Sequence, residues 1–330
     1  MRPANNNHKR MVSHPFCVFM ALGLMLLGGC GGGRAVQRDA FAMDTFVTVT
    51  AYGVGDKDVE SALELLEELD RLWDAHSEES EVSAINRHQP VQVSRRTEGL
   101  LQKALEVGEA SGGFNVRVRP LVRAWGEFKT GSAVPGNREI EEARAYLSAE
   151  FKVAEGRAFL AEGEIDLGGI AKGAAVSEML EDLRSRGAKA AVVDLGGNVG
   201  VMGEKKDGFR IGLQNPLGET GELFGVLRLT DGEVVATSGG YQRYFEVDGV
   251  RYHHVLDPKT GYPAKSGLAS VSVVAADGAL ADALSTACFV EGMESGKSLL
   301  EHFGAEGIFV TDDGTIEVTA GLTGRFEETP

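Results

Sequence analysis

The segment His253-His254-Val255-Leu256-Asp257-Pro258-Lys259-Thr260-Gly261-Tyr262-Pro263 packs two imidazoles, a carboxylate, an ammonium and a hydroxyl among two prolines and a glycine. Those last three residues force a fixed turn, which holds donors and acceptors at set angles. Imidazole is the one side chain that titrates near neutrality unperturbed, so His254 is the candidate for proton transfer, with the Asp257 carboxylate as the second candidate catalytic group. If a strand runs through both histidines, His253 points to the opposite face and only one of the pair reaches a shared site. Single residues of these types are common in loops without a task; the whole ordered string is what carries weight.

Asp282 and Thr286 lie four apart in a helical pattern, which puts both oxygens on one face a turn apart. Carboxylate plus hydroxyl suits Mg2+, and a backbone carbonyl from an irregular turn would complete a protein half-shell. The competing arrangement has Asp282 in solvent and Thr286 bonded back to the helix; from spacing alone it is the commoner one. The string Asp-Leu-Gly-Gly occurs at Asp166 and again at Asp194, each time after an apolar run, a thin hint of internal duplication. Both glycine-rich turns could lay N–H groups against a pyrophosphate, yet neither has dinucleotide or P-loop spacing. Lys172 could neutralise a phosphate or simply sit in solvent. Arg243 and Tyr244 read equally as ordinary strand residues.

The elements that must position these groups follow from periodicity. Alternation over 46–52 predicts a strand, and helical spacing predicts amphipathic helices over 57–73 and 98–110. Residues 77–86 read as a polar loop, and 114–122 as strand-like up to Pro120. Asn137 is a candidate cap for a helix carrying Ile140, Ala143 and Leu147. Another helix opens near Ala171 and stops at Gly187; strands follow at 190–195 and 268–275, and a helix over 277–290 has Asp277 as its cap. Asp231-Gly232, Asp248-Gly249 and Asp312-Asp313-Gly314 read as hairpin turns. No Pro-rich or low-complexity stretch divides residues 40–330, which are expected to form one α+β unit.

At 330 residues and 43% hydrophobic content the chain can bury a substantial core. A net charge of −16 and the lack of a basic stripe argue against a nucleic-acid backbone as partner. Arg2, Lys9 and Arg10 precede an apolar run over 16–27, the design of a signal peptide spanning residues 1–29. It ends Leu27-Gly28-Gly29-Cys30, similar to a lipobox, so Cys30 is the expected lipidation site and residues 30–39 a flexible tether. With Cys17 removed and Cys30 acylated, Cys288 is left without a partner, and its apolar helical neighbours mark it as core filler.

Taken together, Met43-Asp44-Thr45, residues 80–86, Gly113-Phe114-Asn115, Pro120-Leu121, Trp125-Gly126, residues 166–173, 194–198, 236–239, 254–263 and 281–286 resemble the FAD:protein FMN transferase (ApbE-type) family in motif order. The likeness runs from Met43 to about Gly292. It implies a compact, T-fold-related α/β sandwich with mixed, mainly antiparallel sheets. It further implies a Mg2+-dependent enzyme that cleaves the FAD pyrophosphate, attaches FMN through a phosphoester to a threonine of a partner, and releases AMP. Family partners are membrane electron-transfer subunits of the sodium-pumping NADH:quinone oxidoreductase or Rnf type. By position, Met43, His76, Gly113, Phe114, Asn115, Asp166, Lys172 and Leu256 would line the FAD site. The Gly169 carbonyl, Asp282 and Thr286 would hold the magnesium, and His254 would help deprotonate the acceptor. The expected setting is a lipid-anchored protein on the periplasmic side of the bacterial envelope, at the inner membrane more than the outer. Asp44 stands where the family usually has glycine, Asn115 where it has aspartate, and Ala174 and Ser177 where it has tyrosine and aspartate. The alternatives are an FAD pyrophosphatase using water in place of threonine and a non-catalytic FAD-binding lipoprotein.

Overall fold

A computed structural model describes residues 35–129 and 131–329. The expected signal peptide and Cys30 lie outside these residues. Its centre is an eight-stranded sheet whose spatial order is Ala35–Ala42, Thr45–Tyr52, Ala190–Leu195, Asn198–Gly203, Val234–Gly239, Leu268–Ala275, Glu306–Thr311 and Ile316–Val318. Every strand pairing among the described residues is antiparallel, in this sheet and the smaller ones, so the mixed component expected of the sheets is not seen.

Successive residues of a strand point to opposite faces, and each face has its own cover. Val234 and Ala236 join a core with Leu66 of the helix Asp56–Trp73, Met179 of Ala171–Ser185 and Leu284 of Gly278–Glu291. Val235 turns the other way, to a core with Phe209, Leu227 and Leu229 of a three-stranded sheet. The result is helices, large sheet and small sheet in three layers, an α+β sandwich. A third cluster, Leu121, Trp125, Ile140 and Leu147, receives Leu256 and so fastens the His254 to Pro263 segment to a small lobe.

Local chemistry accounts for several departures from expectation. Ala35–Ala42 is a strand in register with Thr45–Tyr52, so residues 35–39 of the expected tether are structured. In the expected loop 77–86, Ser80 accepts from the Ser83 N–H and starts the helix Glu81–Ile85. The strand expected over 114–122 is instead a 3-10 turn, Val116–Val118, and a helix, Arg119–Ala124. Asn115 caps the first, its Oδ1 accepting from the Arg117 N–H, and Pro120 suits the opening turn of the second, where no N–H is needed. Gly136 takes the capping position expected of Asn137, which becomes the first helical residue. Asp231-Gly232 closes no hairpin: it carries the chain from Leu223–Leu229 in the small sheet to Val234–Gly239 in the large one. The hairpin at Asp248-Gly249 joins Tyr244–Val247 to Val250–His253 as expected, and Asp277 caps Gly278–Glu291 by accepting from the Leu280 N–H.

The repeated Asp-Leu-Gly-Gly string has a local explanation. Asp166 Oδ1 accepts from the Gly168 N–H at 2.7 Å, and Asp194 accepts from the N–H groups of Gly196 and Gly197. Each aspartate thus closes the same kind of turn on its own backbone. One opens a helix and the other a two-residue hairpin with φ of +58° and +96°, so the shared letters reflect shared turn chemistry.

Candidate active site

The helix Ala171–Ser185 begins at Ile170 without a side-chain cap of its own. Its orphan donors are met from another helix: Asp282 Oδ2 accepts from the Gly173 N–H at 3.0 Å and the carboxylate also accepts from the Lys172 N–H. Two glycines make this reach possible. A Cβ on Gly173 would stand 1.9 Å from the Gly278 carbonyl oxygen, and one on Gly278 would stand 2.1 Å from that of Gly173. Only bare backbone lets the two helix starts approach so closely.

Burial pushes the Asp282 carboxyl above its ordinary range, against the Lys172 charge, the two backbone N–H groups and the Asn198 side chain, which all hold it down. One turn on, Thr286 Oγ1 lies 3.2 Å from Ser238 Oγ, Ser238 Oγ 2.8 Å from Ser285 Oγ, and Ser285 donates to the Asp282 carbonyl. With that last direction fixed, the hydroxyl hydrogens run Thr286 to Ser238 to Ser285 to Asp282 O. Thr286 then keeps its oxygen lone pairs for a ligand. Gly169 sits beside it: a Cβ there would be 3.5 Å from Thr286 Oγ1 and 3.2 Å from the Phe114 ring.

His254 reaches the same region from the small lobe. The strand ends at His253, so the two histidines diverge. His253 donates from Nε2 to the Ala264 carbonyl and packs edge-on against Phe289, a structural role. Half-buried His254 contacts the Arg243 carbonyl through Nδ1 at 3.2 Å. A carbonyl only accepts, so Nδ1 carries the hydrogen and Nε2 keeps its lone pair. Burial first, then the nearby Arg243, His253 and Lys172, pushes this imidazole down to about 3. Lys172, whose Nζ donates to the Gly168 carbonyl at 3.3 Å, therefore acts electrostatically on both Asp282 and His254.

The remaining expected site residues are placed as follows. Asp257 Oδ1 accepts from the Lys259 N–H and its carbonyl from the Gly261 N–H, which holds the turn that presents His254. Trp125 Nε1 donates to the Gly261 carbonyl, and Leu256 bridges to Pro263 across the same turn. Gly113 packs bare against the Ala287 carbonyl of the Asp282 helix, where a Cβ would lie 2.6 Å away, and so seats Phe114 beside Gly169. Asn115 commits both ends of its amide to backbone, Arg117 N–H and Leu147 O. Asp166 shares its carboxylate between Gly168 and the buried Arg119 guanidinium at 3.1 Å. His76 lies farther out, exposed and between Asp74 and Glu127. Met43 and Asp44 form a two-residue hairpin turn with φ of 49° and 58°. That is a conformation glycine adopts freely and that Asp44 takes up here.

Asn198, Ser238, Arg119 and Ser285 were not singled out by sequence reasoning as site residues. The signal for the first two was present, in Gly196-Gly197-Asn198 after an apolar run and in Thr237-Ser238-Gly239-Gly240, but no local rule says which way such side chains point.

Comparison with known proteins agrees with this architecture. The ApbE family model matches residues 43–309. An FAD:protein FMN transferase of Treponema pallidum is 33% identical over 94% of this chain and 96% of its own, and one of Klebsiella pneumoniae is 33% identical over 89% and 94%. Among solved structures, the ApbE protein of Thermotoga maritima superposes with a TM-score of 0.80 at 34% identity, covering 88% of this chain and 99% of that one. The flavin transferase ApbE of Vibrio cholerae gives 0.79 at 27% identity, covering 89% and 100%. Fold and relatives define an α+β enzyme of the transferase class. Within that class the chain belongs to the ApbE family.

Proposed function

We propose that this protein is a Mg2+-dependent FAD:protein FMN transferase that cleaves the FAD pyrophosphate, joins FMN to a threonine hydroxyl of a partner and releases AMP. One observation carries the reading: Asp282, Thr286, Gly169 and Lys172 meet at a helix N-terminus near the His254 imidazole. The donor set is all oxygen, with one buried carboxylate and a hydroxyl that keeps its lone pairs for a ligand, which fits a hard cation. When bound, magnesium would supply charge neutralisation to the diphosphate. The chain's own groups do the rest. The Lys172 ammonium and the helix N-terminus favour the phosphate charge. His254 Nε2 takes the threonine proton as the hydroxyl oxygen bonds to the FMN phosphorus, while the bond from that phosphorus to the AMP oxygen breaks and AMP leaves with the electron pair.

Incubation with FAD, Mg2+ and a threonine-bearing acceptor peptide tests this directly. The peptide is expected to gain one FMN for each AMP released, and an alanine-substituted peptide to gain none. Free FMN and AMP without labelled peptide would defeat the transferase reading in favour of a pyrophosphatase.

His254→Ala is expected to slow transfer by roughly 10²- to 10⁴-fold, the usual contribution of a positioned base. FAD affinity should persist, since the imidazole serves the acceptor. The neutral form is the active one, and it predominates wherever pH exceeds about 3. Transfer rates should therefore show no inflection from His254 between neutral and mildly acidic pH; a loss of rate on an ordinary imidazole titration would contradict the assignment.

The acceptor in this reading is of the membrane electron-transfer kind that the family resemblance implies, a subunit of the sodium-pumping NADH:quinone oxidoreductase or Rnf type. The N-terminal Leu27-Gly28-Gly29-Cys30 string supports anchorage by lipid on the periplasmic side of the envelope, and the inner membrane is the side on which acceptors of that kind sit. Cells fed a labelled fatty acid should place label on the wild-type protein and none on Cys30→Ser, with transfer unaltered in the variant. A wild-type protein that takes up no label would count against the anchor.

A further inference from the structure

Asn198 is 2% exposed and opens the strand Asn198–Gly203 directly after the Gly196-Gly197 turn. It pairs with Ala236 and Leu195, both members of the helix-side core, so its side chain faces the helices carrying Asp282 and Thr286. The amide donates to the Asp282 carboxylate. Its Oδ1 is buried and has no hydrogen-bond partner in the protein. Turning the amide over gives no relief, because it would set oxygen against the carboxylate. Nor can the neighbouring hydroxyls help, since the hydrogens of Thr286, Ser238 and Ser285 are directed along their own chain to the Asp282 carbonyl. A buried acceptor without a donor is costly and rare in folded proteins, which points to a ligand that completes it.

We infer that Asn198 is a positioning residue of the cation site: its NH2 group fixes the Asp282 carboxylate while its Oδ1 offers a further oxygen to the bound divalent ion's surroundings. This rests on the reading of Asp282, Thr286 and the Gly169 carbonyl as the cation-binding set. An amide suits both tasks because it presents a donor and an acceptor from one rigid plane. Aspartate would repel Asp282, and a hydroxyl would span too little. The hairpin places it: both turn residues have positive φ, so the chain reverses within two residues and Asn198 starts its strand opposite Leu195.

The test is Mn2+ binding followed by electron paramagnetic resonance in the presence of ADP, which carries a diphosphate and no transferable FMN. Wild type is compared with Asn198→Ala, Asn198→Leu and Asp282→Asn, with the fold of each checked by circular dichroism. The leucine variant keeps the volume and removes both polar ends, so it covers the case in which alanine leaves a cavity that unfolds the site. Both Asn198 variants are expected to bind Mn2+ about ten- to a hundredfold more weakly, the usual effect of removing a group that orients a metal ligand. FAD affinity measured in EDTA by flavin fluorescence should stay within about twofold of wild type, which a general loss of structure would not allow. A folded Asn198 variant whose Mn2+ affinity matches wild type overturns the inference alone. A wild-type protein that takes up no Mn2+, or an Asp282→Asn variant that binds it like wild type, overturns the cation reading and this inference together.

Discussion

Asp282→Ala is expected to abolish Mg2+-dependent transfer, lowering AMP release by roughly 10³-fold or more if the cation contributes several kcal/mol to the barrier. The variant also loses the acceptor that meets the Lys172 and Gly173 N–H groups. Asp282→Asn separates the two roles, since the amide oxygen still accepts from the helix N-terminus and only the charge is gone. Calorimetric Mg2+ titration should show binding lost in both variants, while FAD uptake in EDTA persists. Normal turnover in Asp282→Asn would remove the cation from the proposal.

The same aspartate makes a stability prediction with a definite sign. Burial raises its folded-state value above that of an unfolded carboxyl, so the native protein holds the proton more tightly. Stability from this group is therefore present at low pH and lost as pH rises through the folded value. In metal-free buffer the melting temperature of Asp282→Asn should gain on wild type as pH rises. A difference, variant minus wild type, that stays flat or falls with rising pH would mean that the buried carboxylate is better solvated than the fold suggests.

Gly173→Ala is the second large effect. Its methyl would meet the Gly278 carbonyl oxygen at 1.9 Å and the Asp282 Cβ at 2.7 Å, contacts that can be relieved only by moving two helices apart. Overpacking of this kind costs about 3 kcal/mol, offset by about 1 kcal/mol of improved helix propensity. Denaturant unfolding should thus show a net loss near 2 kcal/mol or greater, with cation affinity lost too because Asp282 is pushed off its backbone donor. Gly99→Ala is the matched control: it lies in the helix Arg95–Ala110 with nothing within 4 Å of a new Cβ. There the substitution should stabilise by about 0.5–1 kcal/mol and leave activity unchanged. Equal stability of the two variants would refute the close helix contact.

Elements governed by neighbours along the chain are legible in the amino-acid order itself. The helix Asp56–Trp73 follows its apolar spacing, the Asp277 cap sits where the sequence places it, and the Asp248-Gly249 hairpin forms with the turn its residues demand. Departures arise where a short polar side chain outcompetes a weak periodic pattern. Asn115 turns an apparent strand into a capped 3-10 turn, and Ser80 turns a loop into a helix. Asp231-Gly232 has hairpin chemistry, yet its flanking strands belong to different sheets, because pairing is settled by which edges meet and not by the turn alone.

For the site, the residues themselves singled out His254 as the candidate for proton transfer, while Asp282, Thr286 and Lys172 each kept an ordinary structural reading beside the functional one and Gly169 entered only through the family resemblance. What those letters could not decide is direction. Asp282 faces the neighbouring helix start because Gly173 and Gly278 let two backbones touch, and Asn198 faces Asp282 because a two-residue turn fixes the strand's alternation. His254 is held neutral by burial and by cations that arrive from distant segments, and Asp257 is drawn into its own turn. Capping, turn and periodicity rules act over a few residues along the chain, whereas these outcomes depend on burial and on groups more than a hundred residues apart, which meet only once the layers have packed.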